Sequence, residues 1–129
     1  MNAPQEGAWN MAVDETILEF VGRNESPPTL RLFDWNPYTL SLGHAQPVSD
    51  VDMASLSELG WGLVRRPTGG RAILHADELT YSICANLDNP IVSGNVIDSY
   101  RRISKGLLKA LELLDIRADS KPKKESAKK

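Results

Sequence analysis

The chain has 129 residues, 41% of them hydrophobic and 25% charged, with a formal net charge of −2. That length suits one domain with one modest core, and the balance excludes a collagen, a coiled coil and a wholly disordered chain. No apolar run approaches the ~20 residues of a membrane-spanning helix, and the acidic body carries no basic stripe for nucleic acid. The amino terminus lacks a basic segment followed by an apolar one, so it does not read as a secretory signal. A lone cysteine, Cys84, cannot form an intrachain disulfide, which fits a reducing cytoplasm. Two histidines and one cysteine show no metal-ligand spacing, so no metal is expected.

From Trp9 to Val21 the spacing predicts an amphipathic helix with Met11, Asp14, Ile17, Leu18 and Val21 on one face. Asp14 falls inside that apolar stripe, where a carboxylate needs a cationic or hydrogen-bonding partner. Arg31, Arg65 and Arg66 are the candidates; the alternative is an exposed acid near the helix start. Asn24 to Pro28 reads as a break, followed by strands Thr29–Phe33 and Thr39–Leu42 joined by the turn Asp34-Trp35-Asn36-Pro37. Ser49 or Asp50 is expected to cap a short helix running to about Leu59 and closed by Gly60. Strands follow at Trp61–Arg65, Ala72–Leu74 and Leu79–Ala85.

After Pro90 a second long helix is predicted from about Asn95 to Leu114. Tyr100, Ile103, Leu107, Leu111 and Leu114 mark its buried face, and Arg101, Arg102, Lys105 and Lys109 its solvated side. Ile116 could begin a further strand, but the charged tail interrupts it. From Arg117 to Lys129 there are six basic and two acidic residues, which reads as a solvated, disordered tail. The reading is therefore α+β, a mixed or antiparallel sheet with helices packed on it, over residues 7–116, followed by a basic tail at 117–129.

The densest chemistry lies in Arg65-Arg66-Pro67-Thr68-Gly69-Gly70-Arg71-Ala72-Ile73-Leu74-His75. Three guanidiniums supply rigid, charged forks, and adjacent glycines allow close backbone approach and positive φ. An imidazole follows four residues after the last arginine. This mixture suits holding an anionic or strongly polarised acyl group against the main chain.

With Asn10-Met11-Ala12-Val13-Asp14-Glu15, Ser41-Leu42-Gly43-His44-Ala45-Gln46 and Glu78-Leu79-Thr80-Tyr81-Ser82 in the same order, the chain resembles the lipoate–protein ligase A / lipoyl–octanoyl transferase family from about Gly7 to about Leu114. The resemblance implies the catalytic fold shared with biotin–protein ligases and, more distantly, class II aminoacyl-tRNA synthetases. It implies transfer of an octanoyl or lipoyl group to a lysine of a carrier domain, such as glycine cleavage H protein or a 2-oxoacid dehydrogenase subunit. Arg66 and His75 would hold the polar end of the acyl group. Thr68, Gly69, Gly70 and Arg71 would line the pocket, with Gly43 and Gln46 as a nearby wall. The Gly-Gly-Arg form looks like the cysteine-dependent octanoyltransferase branch, in which a thioester donor, with acyl carrier protein as its carrier, replaces ATP. ATP enters only in the ligase alternative, and no permanently bound cofactor is implied.

The family's later half is expected to carry an essential lysine and, in the transferase branch, the cysteine nucleophile, and neither motif occurs in this chain. No catalytic residue is therefore assigned: Cys84 sits in the apolar flanks of a buried strand, where free cysteines are inert. The opening strand of the family is also missing, so an incomplete fold is expected, completed by a second polypeptide in one variant. Two other readings stand beside the enzyme segment: a module that binds an acyl group or carrier domain without turnover, and a generic α+β domain whose Arg-Gly loop only pairs with acids.

Overall fold

In the computed structural model the described residues run from 3 to 119. The basic tail expected from Arg117 onward lies outside them beyond that point. The chain divides into two compact units, Met1–Ala85 and Asn86–Lys129.

The first unit holds two helices and five strands: α1 (Gly7–Gly22), β1 (Thr29–Phe33), β2 (Thr39–Leu42), α2 (Met53–Glu58), β3 (Gly62–Arg65), β4 (Ile73–His75) and β5 (Thr80–Cys84). Strands β1 and β5 form an antiparallel pair, with Thr29 opposite Cys84 and Phe33 opposite Thr80. The other three form a mixed sheet in the order β3-β2-β4, parallel between β2 and β3 and antiparallel between β2 and β4. The expected mixed α+β character holds, but the strands divide into two sheets. Alternating burial along β1, with Arg31 and Phe33 inward and Leu30 and Leu32 outward, marks the face that meets α1. Met11, Phe33 and Trp35 form the core cluster, with Val64 packed against it.

Two local expectations change. The short helix α2 is capped by Asp52, whose carboxylate accepts from the Ala54 and Ser55 amides at 3.1 Å. Ser49 and Asp50 instead lie in a 3-10 turn, Val48–Asp50, that follows Pro47. On α1 the buried face runs through Gly7, Asn10, Met11, Asp14 and Val21. Leu18, read as part of the stripe, is 48% exposed.

Asp14 does occupy the buried face, and its partner is Arg31. The Arg31 guanidinium donates to Asp14 Oδ1 at 2.8 Å, to the Asn10 carbonyl at 3.0 Å and to Asn10 Oδ1 at 2.6 Å. The same carboxylate oxygen accepts from the Ser82 hydroxyl at 2.8 Å. The guanidinium also lies 4.0 Å from the Phe33 ring centroid, a cation–π contact. This cluster joins α1 to β1 and β5 through buried hydrogen bonds instead of aliphatic packing alone.

The second unit contains α3 (Val96–Leu113). Asn95 caps it by accepting from the Asp98 amide at 3.0 Å. Its end is a left-handed cap: Asp115 has φ +58°, and the Ile116 amide donates to the Leu111 carbonyl at 2.9 Å. Ile116 therefore closes the helix and does not start a strand. The apolar face expected to be buried is only partly so: Ile103, Leu107 and Leu111 are half-buried, whereas Tyr100 and Leu114 are exposed. Among the described residues, the rest of this unit forms short irregular segments.

Removing one member of a buried ion pair leaves the other charge without its partner, at a cost of about 3–5 kcal/mol. Arg31→Met is expected to destabilise the first unit by that amount in urea denaturation. The double variant with Asp14→Leu should lose clearly less than the sum of the two single changes.

Candidate functional site

Strand β3 delivers Arg65 and Arg66 to a place where loops 43–47 and 66–72 meet. Both side chains turn onto the main chain. Arg65 Nη1 lies 2.8 Å from the Gly43 carbonyl, 3.0 Å from that of His44 and 2.6 Å from that of Gln46. Arg66 donates through Nη1 to the Ser41 carbonyl at 3.0 Å, and through Nη2 to the Gly69 and Arg71 carbonyls, each at 2.8 Å. Carbonyls of the two loops, and that of Ser41 in β2, thus find charged donors in a fixed fork. Partial burial pulls the Arg66 guanidinium below its ordinary pKa.

The two loops also touch directly. The His44 amide donates to the Thr68 carbonyl at 2.9 Å, and the Arg66 amide to the Leu42 carbonyl at 3.0 Å. A Cβ on Gly43 would fall 1.9 Å from the Gly70 carbonyl oxygen, so only glycine permits this approach. Gly70 itself has φ +95°, a conformation costly for any side chain. Beside this contact lies a cavity of about 490 Å³ lined by His44, Gln46, Gly69, Gly70 and Arg71, with Ala45, Pro47, Asp50 and Pro67.

Behind the loops runs a relay of side chains. Ser41 Oγ accepts from Arg66 Nη1 at 3.0 Å and lies 2.8 Å from His75 Nε2. His75 Nδ1 lies 2.5 Å from Glu78 Oε1, which also accepts from the Thr80 hydroxyl at 2.7 Å. Thr80 Oγ1 in turn accepts from Trp35 Nε1 at 2.7 Å, and the Trp35 and His75 rings stack at 4.1 Å and 13°. Burial alone would raise the Glu78 carboxyl, but the hydrogen bonds from His75 and Thr80 outweigh it and hold the group below its usual range.

The structure therefore brings Gln46, Gly69, Gly70 and Arg71 to one cavity wall, with Gly43 and Thr68 fixing the loops beside it. Arg66 and His75 stand behind that wall. His75 is 7% exposed with both ring nitrogens engaged, so it meets the loop through Ser41 and Arg66 and not across the cavity. The Arg65 clamp and the parts played by Ser41, Glu78, Thr80 and Trp35 were not expected from the sequence. The one available signal was Glu78 three residues beyond His75, a spacing that lets a carboxylate reach an imidazole.

Cys84 is buried at the end of β5, with Sγ 3.8 Å from the Asp14 carbonyl. Burial, then the Asp14 charge, push its thiol above the ordinary value, against a smaller opposing effect of Arg31. The thiol is protonated at neutral pH and unsuited to nucleophilic attack.

A family model described as the lipoyl protein ligase A/B catalytic domain matches residues 6–126. Octanoyltransferase LipM of Kyrpidia tusciae is 51% identical over 108 residues, covering 83% of this chain and 39% of that protein. Protein Ta0514 of T. acidophilum, solved with bound lipoic acid, superposes with a TM-score of 0.81 at 22% identity, over 98% of this chain and 51% of that one. A bi-partite lipoate protein ligase from Thermoplasma acidophilum gives a TM-score of 0.70 at 22% identity, over 96% and 49%. The structural likenesses show the fold. The chain spans about two fifths of the length of the curated relative and about half of the solved chains.

Three outcomes follow from this geometry. Gly43→Ala should destabilise the first unit by about 1–3 kcal/mol, the range for forced overpacking. Gly69→Ala, which meets no atom within 4 Å, should stay within about 0.5 kcal/mol of the parent by thermal melting. Alkylation of Cys84 by iodoacetamide at pH 7 should be far slower than that of an exposed cysteine peptide, and should accelerate when urea unfolds the chain.

Proposed function

We propose that this chain, which belongs to the lipoyl protein ligase A/B catalytic domain family, holds an octanoyl or lipoyl group for transfer to a lysine of a lipoyl carrier domain. The branch assigned is the octanoyltransferase one, in line with the 51% identity to an octanoyltransferase. The observation that carries this reading is the loop pair clamped by Arg65 and Arg66 beside an open cavity. Six main-chain carbonyls are drawn back onto two guanidiniums. That leaves the Gly69–Gly70 backbone and the exposed Arg71 at the cavity wall.

Arg71 then serves as the cation that meets the polar end of the acyl donor, while Arg66 shapes the wall. The apolar lining from Ala45, Pro47 and Pro67 suits a saturated chain. Acyl transfer needs an activated nucleophile, and the buried, protonated Cys84 is not one. The chain is thus the acyl-holding part of the reaction, with bond making assigned to residues outside it. The donor is a carrier-bound thioester and the setting the cytoplasm. No helix among the described residues is long and apolar enough to cross a membrane.

A second reading is an acyl-holding subunit that works with a separate polypeptide. One assay covers both. Octanoyl transfer from a carrier thioester to a lipoyl-domain acceptor is followed by intact mass. It is run with the chain alone and with the part of the Kyrpidia enzyme that this chain does not match. Transfer is expected only in the combined reaction, and transfer by the chain alone would overturn the division of labour.

Octanoate binding gives a more direct check by calorimetry. Arg66→Ala is expected to weaken it by about 1.5–3 kcal/mol, the range for hydrogen bonds to charged groups. An unchanged affinity would remove Arg66 from the site's construction.

A further inference from the structure

Glu78 lies outside the cavity wall, yet its carboxylate is connected to that wall by an unbroken series of hydrogen bonds. Oε1 receives both His75 Nδ1 and the Thr80 hydroxyl. The far side of the imidazole meets Ser41 Oγ, and Ser41 Oγ meets Arg66, which holds the Gly69 and Arg71 carbonyls.

The donor and acceptor order along this path is set from its two ends, by Arg66 and by Glu78. Arg66 can only donate, so the Ser41 oxygen accepts from it on one of its two lone pairs and keeps its own proton available for His75 Nε2. Nε2 can accept that proton only if the ring proton sits on Nδ1. In the neutral ring, an ionised carboxylate, which can only accept, enforces that tautomer. Without an acceptor at position 78 the ring is free to take the other tautomer. Nε2–H would then donate to the second lone pair of Ser41, and the proton of that fully buried hydroxyl would lose its acceptor on the ring.

We propose that Glu78 is a positioning residue for the Gly69–Gly70 loop, acting through the His75 tautomer and the Ser41 hydroxyl to hold Arg66 on the loop carbonyls. In relation to acyl transfer this rests on the function proposed above; the loop geometry it describes does not. What the path needs at position 78 is an acceptor oxygen and not a charge. Glutamine can present its carbonyl oxygen to the same two donors, whereas leucine cannot. The Glu78 side chain is 37% exposed, so either replacement removes little packing.

The test uses the full chain and two readouts. Nitrogen-15 spectra of the imidazole report the His75 tautomer. Hydrogen exchange of the His44 amide, bonded to the Thr68 carbonyl, reports closure of the two loops. Glu78→Leu should accelerate His44 exchange about tenfold, as expected for losing a hydrogen bond to a charged group, and abolish the single Nδ1–H tautomer. Glu78→Gln should retain the tautomer and stay within about threefold of the parent.

In a Ser41→Ala background, Glu78→Leu should add nothing, because the path is already cut. Unchanged His44 exchange in Glu78→Leu, or the same acceleration with and without Ser41, would overturn the proposal. Should Glu78→Leu fail to fold, Ser41→Ala alone decides, since unaltered His44 exchange there rules out the path. Octanoate affinity is measured in parallel on the parent chain. Its absence would remove the acyl-holding reading while leaving the loop result to stand by itself.

Discussion

A buried imidazole with both nitrogens engaged is the constraint around which the first unit is arranged. His75 belongs to β4 in the three-stranded sheet, but its ring stacks on Trp35 and binds Glu78, which is tied to Thr80 at the start of β5. The two sheets share no strand pairing. They are held to each other by this polar and aromatic contact, together with α1, which packs against strands of both. An imidazole is suited to the task because its two nitrogens can serve opposite roles at once, one donating and one accepting.

The Asp14–Arg31 cluster makes a similar connection on the other side of the core. Buried charges stabilise little unless every lone pair and proton is used. Here Asn10 and Ser82 take up much of what the ion pair leaves over, and Asn10 Nδ2 continues to the Asp34 carbonyl at 2.9 Å. Asp34 leads into Trp35, so the helix cluster and the imidazole relay meet at one short turn between β1 and β2. The loop pair beside the cavity is therefore backed by polar contacts that run through the unit and into its core.

Much of this was legible in the chain. Helical spacing placed Asp14 among apolar neighbours, and the need to pair a buried carboxylate pointed to Arg31, Arg65 or Arg66, of which the fold selects Arg31. The strands fell close to where alternation and turn residues put them. Other features depend on information that residue type does not carry. An arginine beside a glycine turn is equally suited to a ligand anion and to a backbone carbonyl, and Arg65 and Arg66 both chose the backbone. Three side chains within four residues could cap α2, and the chain's path after Pro47 selected Asp52. The division of five strands into two sheets follows from pairings distant in sequence. The α3 face was read correctly as apolar, but periodicity does not say what covers it.

Arg65 and Arg66 are consecutive, and one clamps loop 43–47 while the other clamps loop 66–72. Side chains of adjacent residues on an extended strand leave on opposite sides, so a single strand end serves both loops only in one frame. Inserting or deleting one residue between Gly62 and Pro67 would send each guanidinium to the side where the other is needed. Substitutions at either position remove one clamp, but a change of length removes both together. This short stretch is consequently a fixed-length segment of the molecule, in which spacing is constrained more tightly than residue identity.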